Sequence, residues 1–89
     1  FSSLFLLEYL SLNENYLRHL GSNVFIGLFS LKSLNLSHNQ IEFISNALFR
    51  ELKMLINLDL SHNSIFFIKD ESFKNLINLK SFYLTSNPI

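Results

Sequence analysis

The sequence predicts an α/β-type solenoid, an arc with a parallel β-sheet on its concave face and loops or 3-10 turns on its convex face. Three observations predict it. Apolar residues recur every 24 positions through the whole 89-residue chain. Every period carries a short LxLxx run, whose alternation sets two leucines on one side of a strand. Every period also carries an Asn at a fixed place, in a chain with 11 Asn but only two Gly and one Pro to reverse its direction.

The period is explicit in the strings SLNLSHNQI and NLDLSHNSI, which begin at Ser33 and Asn57. Leu7, Leu31, Leu55 and Leu79 share one phase. Leu10, Leu34, Leu58 and Phe82 share the next, followed by Leu12, Leu36, Leu60 and Leu84. Asn15, Asn39, Asn63 and Asn87 form a column, then Leu17, Ile41, Ile65 and Ile89, then Leu20, Ile44 and Ile68. Phe1, Phe25, Phe49 and Phe73 form another, and Leu4, Leu28, Leu52 and Leu76 the last. Leu, Ile and Phe make up 37 of the 89 residues. Filling the apolar columns by chance then has a probability on the order of 10⁻¹⁰, so the repeat is not a by-product of composition. The expected organisation is three repeats, 7–30, 31–54 and 55–78, with partial repeats 1–6 and 79–89. Without a polar or Cys-rich terminal coil, 1–89 is expected to be an internal fragment with neighbouring repeats at both ends.

The unit LxxLxLxxNx[LI]xx[LI]xxxxFxxLxx resembles the leucine-rich repeat. Its 24-residue length, with Phe in the second half, is similar to the "typical" subclass of extracellular repeats found in Toll-like receptors and small leucine-rich proteoglycans. The Gly-x-Ile-Pro signature of plant receptor repeats is missing, and the unit is shorter than the 28–29-residue ribonuclease-inhibitor type. The resemblance covers the whole chain. It implies a right-handed arc whose concave face recognises ligands.

The residues themselves give reasons for this shape. Strands near Tyr9 to Leu12, Ser33 to Leu36, Asn57 to Leu60 and Ser81 to Leu84 should stack in parallel about 4.8 Å apart. A buried Asn amide offers two donors and an acceptor. The Asn column should therefore satisfy backbone groups of its own turn and of the adjacent coil, with Asn39 and Asn63 buried and Asn13 and Asn57 exposed. Phe1, Phe25, Phe49 and Phe73 should form a spine that holds the convex side wider than the strands. His19, Phe43 and Phe67 are expected to form a minor second spine. Phe66 shares its column with the charged Arg18 and Glu42 and should face solvent.

Composition excludes several function classes. Seven basic residues balance seven acidic ones, which argues against nucleic-acid binding, since that normally needs a basic excess. Without Cys there is no disulfide framework and no thiolate metal site or nucleophile. The longest stretch free of Lys, Arg, Asp and Glu is the 13 residues His19 to Leu31, short of the ~18 needed for a membrane span. No membrane insertion is expected in this segment. The opening FSSLFLLEYL lacks a basic n-region and a small-residue cleavage site.

The candidate ligand-binding residues alternate with the strand leucines: Tyr9, Ser33, Asn57 and Ser81; Ser11, Asn35, Asp59 and Tyr83; Asn13, Ser37, Ser61 and Thr85. Glu14, His38, His62 and Ser86 flank them. Tyr9, Tyr16 and Tyr83 are candidate anchors, as Tyr is favoured at binding hot spots. The alternative is a set of solvated strand residues touching no ligand. His38 and His62 stand at equivalent places in adjacent coils but have no third ligand at a fixed spacing, and two His make a poor zinc site. Ser37 and His38 should point to opposite faces, which leaves no nucleophile–base pair. Asn35-Leu36-Ser37 is a glycosylation sequon, and a glycan there would block the concave face. These features predict a recognition module that uses no metal, cofactor or catalytic residue and binds a protein or glycan. It would be part of a receptor ectodomain or secreted adhesion protein, or alternatively a cytoplasmic scaffold.

Overall fold

The computed structural model describes residues 6–89. Phe1 and Leu4, which the repeat assigns to the spine and to the last leucine column, lie outside these residues. The described chain forms β1 (Tyr9–Ser11), β2 (Ser33–Asn35), β3 (Phe43–Ile44), β4 (Asn57–Asp59), β5 (Phe67–Ile68) and β6 (Ser81–Tyr83). β1, β2, β4 and β6 make one parallel sheet in that order, with Tyr9, Ser33, Asn57 and Ser81 paired in register. Each strand is one residue shorter than the sequence suggests. The backbone ladder nevertheless continues past it, as Leu36 N donates to Asp59 O at 2.8 Å and His38 N to Ser61 O at 3.1 Å.

Every templated leucine and isoleucine of the two central coils is turned inward. Leu31, Leu36, Ile41, Ile44, Leu55, Leu58, Leu60 and Ile65 are fully buried. Each such side chain contributes about 1.5–3 kcal/mol by leaving water, and it does so only because the next coil covers it.

The convex return is a chain of tight turns. Val24 N donates to Gly21 O, Ile26 N to Asn23 O and Leu28 N to Phe25 O; Arg50 N to Ala47 O, Leu52 N to Phe49 O and Leu76 N to Phe73 O follow the same three-residue spacing. Successive turns of this kind need little length, which lets a 24-residue unit close.

The Phe spine is present. Phe25 and Phe49 stack at 6.3 Å and Phe49 and Phe73 at 5.9 Å, with ring planes within 12° and 16° of parallel. At the far end of the sheet, His38 and His62, one repeat apart, stack at 4.3 Å. Equivalent groups are therefore farther apart at the back than at the turn beside the strands. That difference in spacing bends the stack into an arc.

One expectation about the flank is corrected. The minor second spine of His19, Phe43 and Phe67 is not internal: His19 and Phe43 do meet, with ring centroids 6.2 Å apart, but Phe43 and Phe67 are 41% and 51% exposed, so the row lies on the surface. The two Phe lie on β3 and β5, which pair in parallel as a second, two-stranded sheet. In that sheet the alternating position is the inward one, filled by Ile44 and Ile68, so the Phe side chains face out. Phe66 is exposed as expected, at 63%, and its column mates Arg18 and Glu42 form an ion pair at 3.0 Å.

Candidate ligand-binding face

The turn after each strand is built by the Asn column. Asn39 Nδ2 donates to Leu36 O and Ser37 O of its own turn and to Leu12 O of the preceding coil, at 3.0, 3.2 and 3.0 Å. Its Oδ1 accepts from Leu17 N at 3.1 Å. Asn63 repeats the set on Leu60, Ser61, Leu36 and Ile41, and Asn87 on Leu84, Thr85, Leu60 and Ile65. Asn15 is exposed and, among the described residues, reaches only its own turn, at Leu12 O and Asn13 O. Asn39 is buried, whereas Asn63 and Asn13 are half-buried rather than buried and exposed, respectively.

These amides hold the backbone in a conformation that would otherwise call for glycine. Glu14, His38, His62 and Ser86, one per coil, have φ of 57°, 56°, 55° and 62°. The left-handed region costs an L-residue on the order of 1–2 kcal/mol. His38 is thus a turn residue, not a strand residue. The separation of Ser37 from His38 comes from this turn, not from strand alternation: Ser37 Oγ donates inward to Asn35 Oδ1 at 2.7 Å while the His38 ring lies exposed on His62.

The strand register brings the predicted face together. Tyr9 and Tyr83 are 69% and 53% exposed. Ser11, Asn57 and Thr85 are exposed, and Ser33, Asn35, Asp59 and Ser81 half-buried. Ser33, Asn35, Asn57, Asp59 and Tyr83 surround a shallow depression of about 280 Å3 floored by Leu34 and Leu58. Two predicted residues do not belong to the open face. Ser37 and Ser61 are buried, because each hydroxyl and N–H turns back onto the side chain two residues earlier: Ser37 N and Oγ on Asn35 Oδ1, Ser61 N and Oγ on Asp59 Oδ1. Coil one keeps the bond with its members exchanged, Ser11 Oγ donating to Asn13 Oδ1 at 2.6 Å. This coupling was visible in the sequence as Ser and Asn or Asp two residues apart in every one of these coils, but the alternation rule alone turned both members outward. Tyr16 is 85% exposed yet stands past the Asn column, beside Gln40 and Ser64 in the repeat, outside the strand rows.

His38 and His62 lie face to face, with ring planes 9° apart. A shared metal ion would need an in-plane nitrogen lone pair of each ring aimed at one point, and the lone pairs of near-parallel stacked rings lie in separate planes that do not converge there. Among the described residues no three His, Asp or Glu side chains gather into a metal site.

A family model described as leucine rich repeat matches residues 5–65. The chain belongs to the leucine-rich repeat family. Among solved structures, this leucine-rich repeat segment is similar to Toll in the Toll–Spatzle complex, described as a molecular hub in Drosophila development and innate immunity. It is 31% identical over 91% of this chain, with a TM-score of 0.89. The glycosylated form of that complex gives 30% identity over 90% of this chain and a TM-score of 0.88. A third similar structure is TLR13 in complex with ssRNA13, 34% identical over 91% of this chain, with a TM-score of 0.66. The chain spans 11% of the Toll chains and 15% of TLR13. No curated protein sequence matches it. The exclusion of nucleic acid from balanced charge is not supported, since TLR13, a leucine-rich repeat protein of similar structure, is seen with single-stranded RNA.

Proposed function

We propose that this segment is an internal stretch of a leucine-rich repeat receptor ectodomain or secreted adhesion protein, outside the cell or at its surface. Its concave face holds a protein ligand and carries out no chemical conversion. The observation that carries this reading is the division of columns. The structural Leu, Ile, Phe and Asn positions are committed to the coil, while the strand rows present an exposed Tyr9 and, around one depression, Tyr83 with a run of polar side chains. Tyr side chains anchor interfaces at little conformational cost. Resemblance to a Toll chain solved with Spatzle supports a protein ligand.

Further coils on both sides belong to the same proposal. Phe82 and Ile89 are 40% and 58% exposed, whereas Leu58 and Ile65, one repeat earlier, are fully buried. A following coil would cover the outer pair in the same way.

The test uses the complete protein. A photo-crosslinking residue in place of Asn57 or Tyr83 should join a specific partner protein, and one in place of the convex Asn46 or Lys53 should not. A partner joined only from the convex positions, or from none of the four, would overturn the reading.

A further inference from the structure

The three strand rows of the concave face contain one charged residue, Asp59. Register places it between Asn35 on one side and Tyr83 on the other, about 4.8 Å from each along the sheet. It is half-buried at the wall of the 280 Å3 depression. Its Oδ1 is occupied by Ser61 N and Oγ, at 3.0 and 2.6 Å. Its Oδ2 receives no hydrogen bond and Asp59 joins no ion pair among the described residues, although Arg18, Lys32 and Lys74 each pair with a glutamate elsewhere. Lys32, the basic residue beside β2, is directed to Glu8 at 3.8 Å.

A half-buried carboxylate with one free oxygen is an acceptor for a cation, because charge-assisted hydrogen bonds strengthen where water is partly excluded. The neighbouring Tyr83 ring adds an aromatic face, on which a planar guanidinium stacks. The Asn57 amide, exposed on the next row, supplies an oxygen for a remaining N–H. The depression is shallow and open along the strand rows, so a side chain presented by a protein surface can reach it. We propose that the depression around Asp59 receives the guanidinium of an arginine side chain from a protein ligand. This rests on the concave-face reading above and names what that face recognises.

A clean variant is built into the repeat. Asn35 occupies the place of Asp59 one coil earlier and accepts the same two bonds from Ser37, at 3.0 and 2.7 Å. Asp59→Asn therefore keeps the turn and removes only the charge. The probe is the blocked pentapeptide Gly-Gly-Arg-Gly-Gly, with its citrulline counterpart as an isosteric neutral control. Binding to the complete protein is followed by saturation-transfer NMR. The arginine peptide should bind roughly tenfold more tightly than the citrulline peptide, the range expected for one charge-assisted contact. Asp59→Asn should abolish the difference, and the convex Asp70→Asn should leave it intact. Equal binding of the two peptides, no binding of either, or a difference that survives Asp59→Asn would each overturn the proposal. Asn57→Trp, which fills the depression, separates the two claims through the crosslinked partner. If Asn57→Trp blocks the partner and Asp59→Asn does not, the concave-face reading stands and the arginine assignment falls. If neither blocks it, both fall.

Discussion

Replacing Asn39 by Ala tests how the turn is made, and the structure fixes what is lost. Three donor contacts and one acceptor contact disappear, but they are not equivalent. Leu12 O keeps Asn15 Nδ2 at 2.9 Å, Leu36 O keeps Asn63 Nδ2 at 3.0 Å, and Ser37 O keeps the N–H of Glu14 at 3.0 Å. Only Leu17 N, half-buried, is left with no partner among the described residues. One stranded donor plus the net value of the lost bonds gives about 2–4 kcal/mol. Asn39→Asp removes the same donors and aims a carboxylate at three carbonyl oxygens, so it should cost more than Ala despite its nearly identical shape. Asn15→Ala, at an exposed side chain confined to its own turn, should cost less than about 1 kcal/mol. Denaturant titration of the complete protein gives the three values, and hydrogen exchange at Leu17 localises the effect. Equal losses for Asn39→Ala and Asn15→Ala, or a milder Asn39→Asp than Asn39→Ala, would refute the idea that the ladder holds the turn.

Phe49 is fully buried between two spine partners, so Phe49→Ala should cost about 3–5 kcal/mol, while Phe66→Ala should stay within about 0.5 kcal/mol; denaturation curves of the two variants check the ranking. The exposed Arg18–Glu42 pair should contribute less than about 1 kcal/mol in a double-mutant cycle, falling further at high salt. The bare 89 residues, expressed alone, should associate end to end through the uncovered faces around Leu79, Phe82 and Leu84, and fused polar caps should yield a monomer by sedimentation; a monodisperse, cooperatively melting bare chain would refute this.

The repeat made most of the fold legible, because each structural column has one chemical task and one or two residue types able to perform it. Leu34 and Leu58 are buried where alternation puts them, and Asn39 bonds both coils as its donor count requires. What the sequence concealed lay where two elements share a column. Phe43 and Phe67 carry the apolar character of a core residue, and the pairing of β3 with β5 shows that the adjacent templated Ile44 and Ile68 take the inner side and leave the Phe rings outside. Ser37 and Ser61 have the polarity of an open face, and only the bond to the preceding side chain shows them turned in. Hydropathy reads a residue by itself, whereas these four are decided by what their neighbours have already filled.

The same logic bears on how such a face acquires specificity. Asn35 and Asp59 occupy one column and make the same pair of bonds to the serine two residues on. At that place the turn takes an amide or a carboxylate oxygen alike, and coil four forms the same turn with Tyr83 there. Ser11 and Asn13 go further and exchange places while preserving the contact. Charge on the concave face is therefore a variable that the repeat leaves free, since changing it costs the coil little. A binding surface can be altered one strand at a time along a scaffold whose Leu, Asn and Phe columns stay fixed. The lone carboxylate of these strand rows then has no structural task that an amide would not perform, which is why Asp59→Asn isolates the effect of its charge.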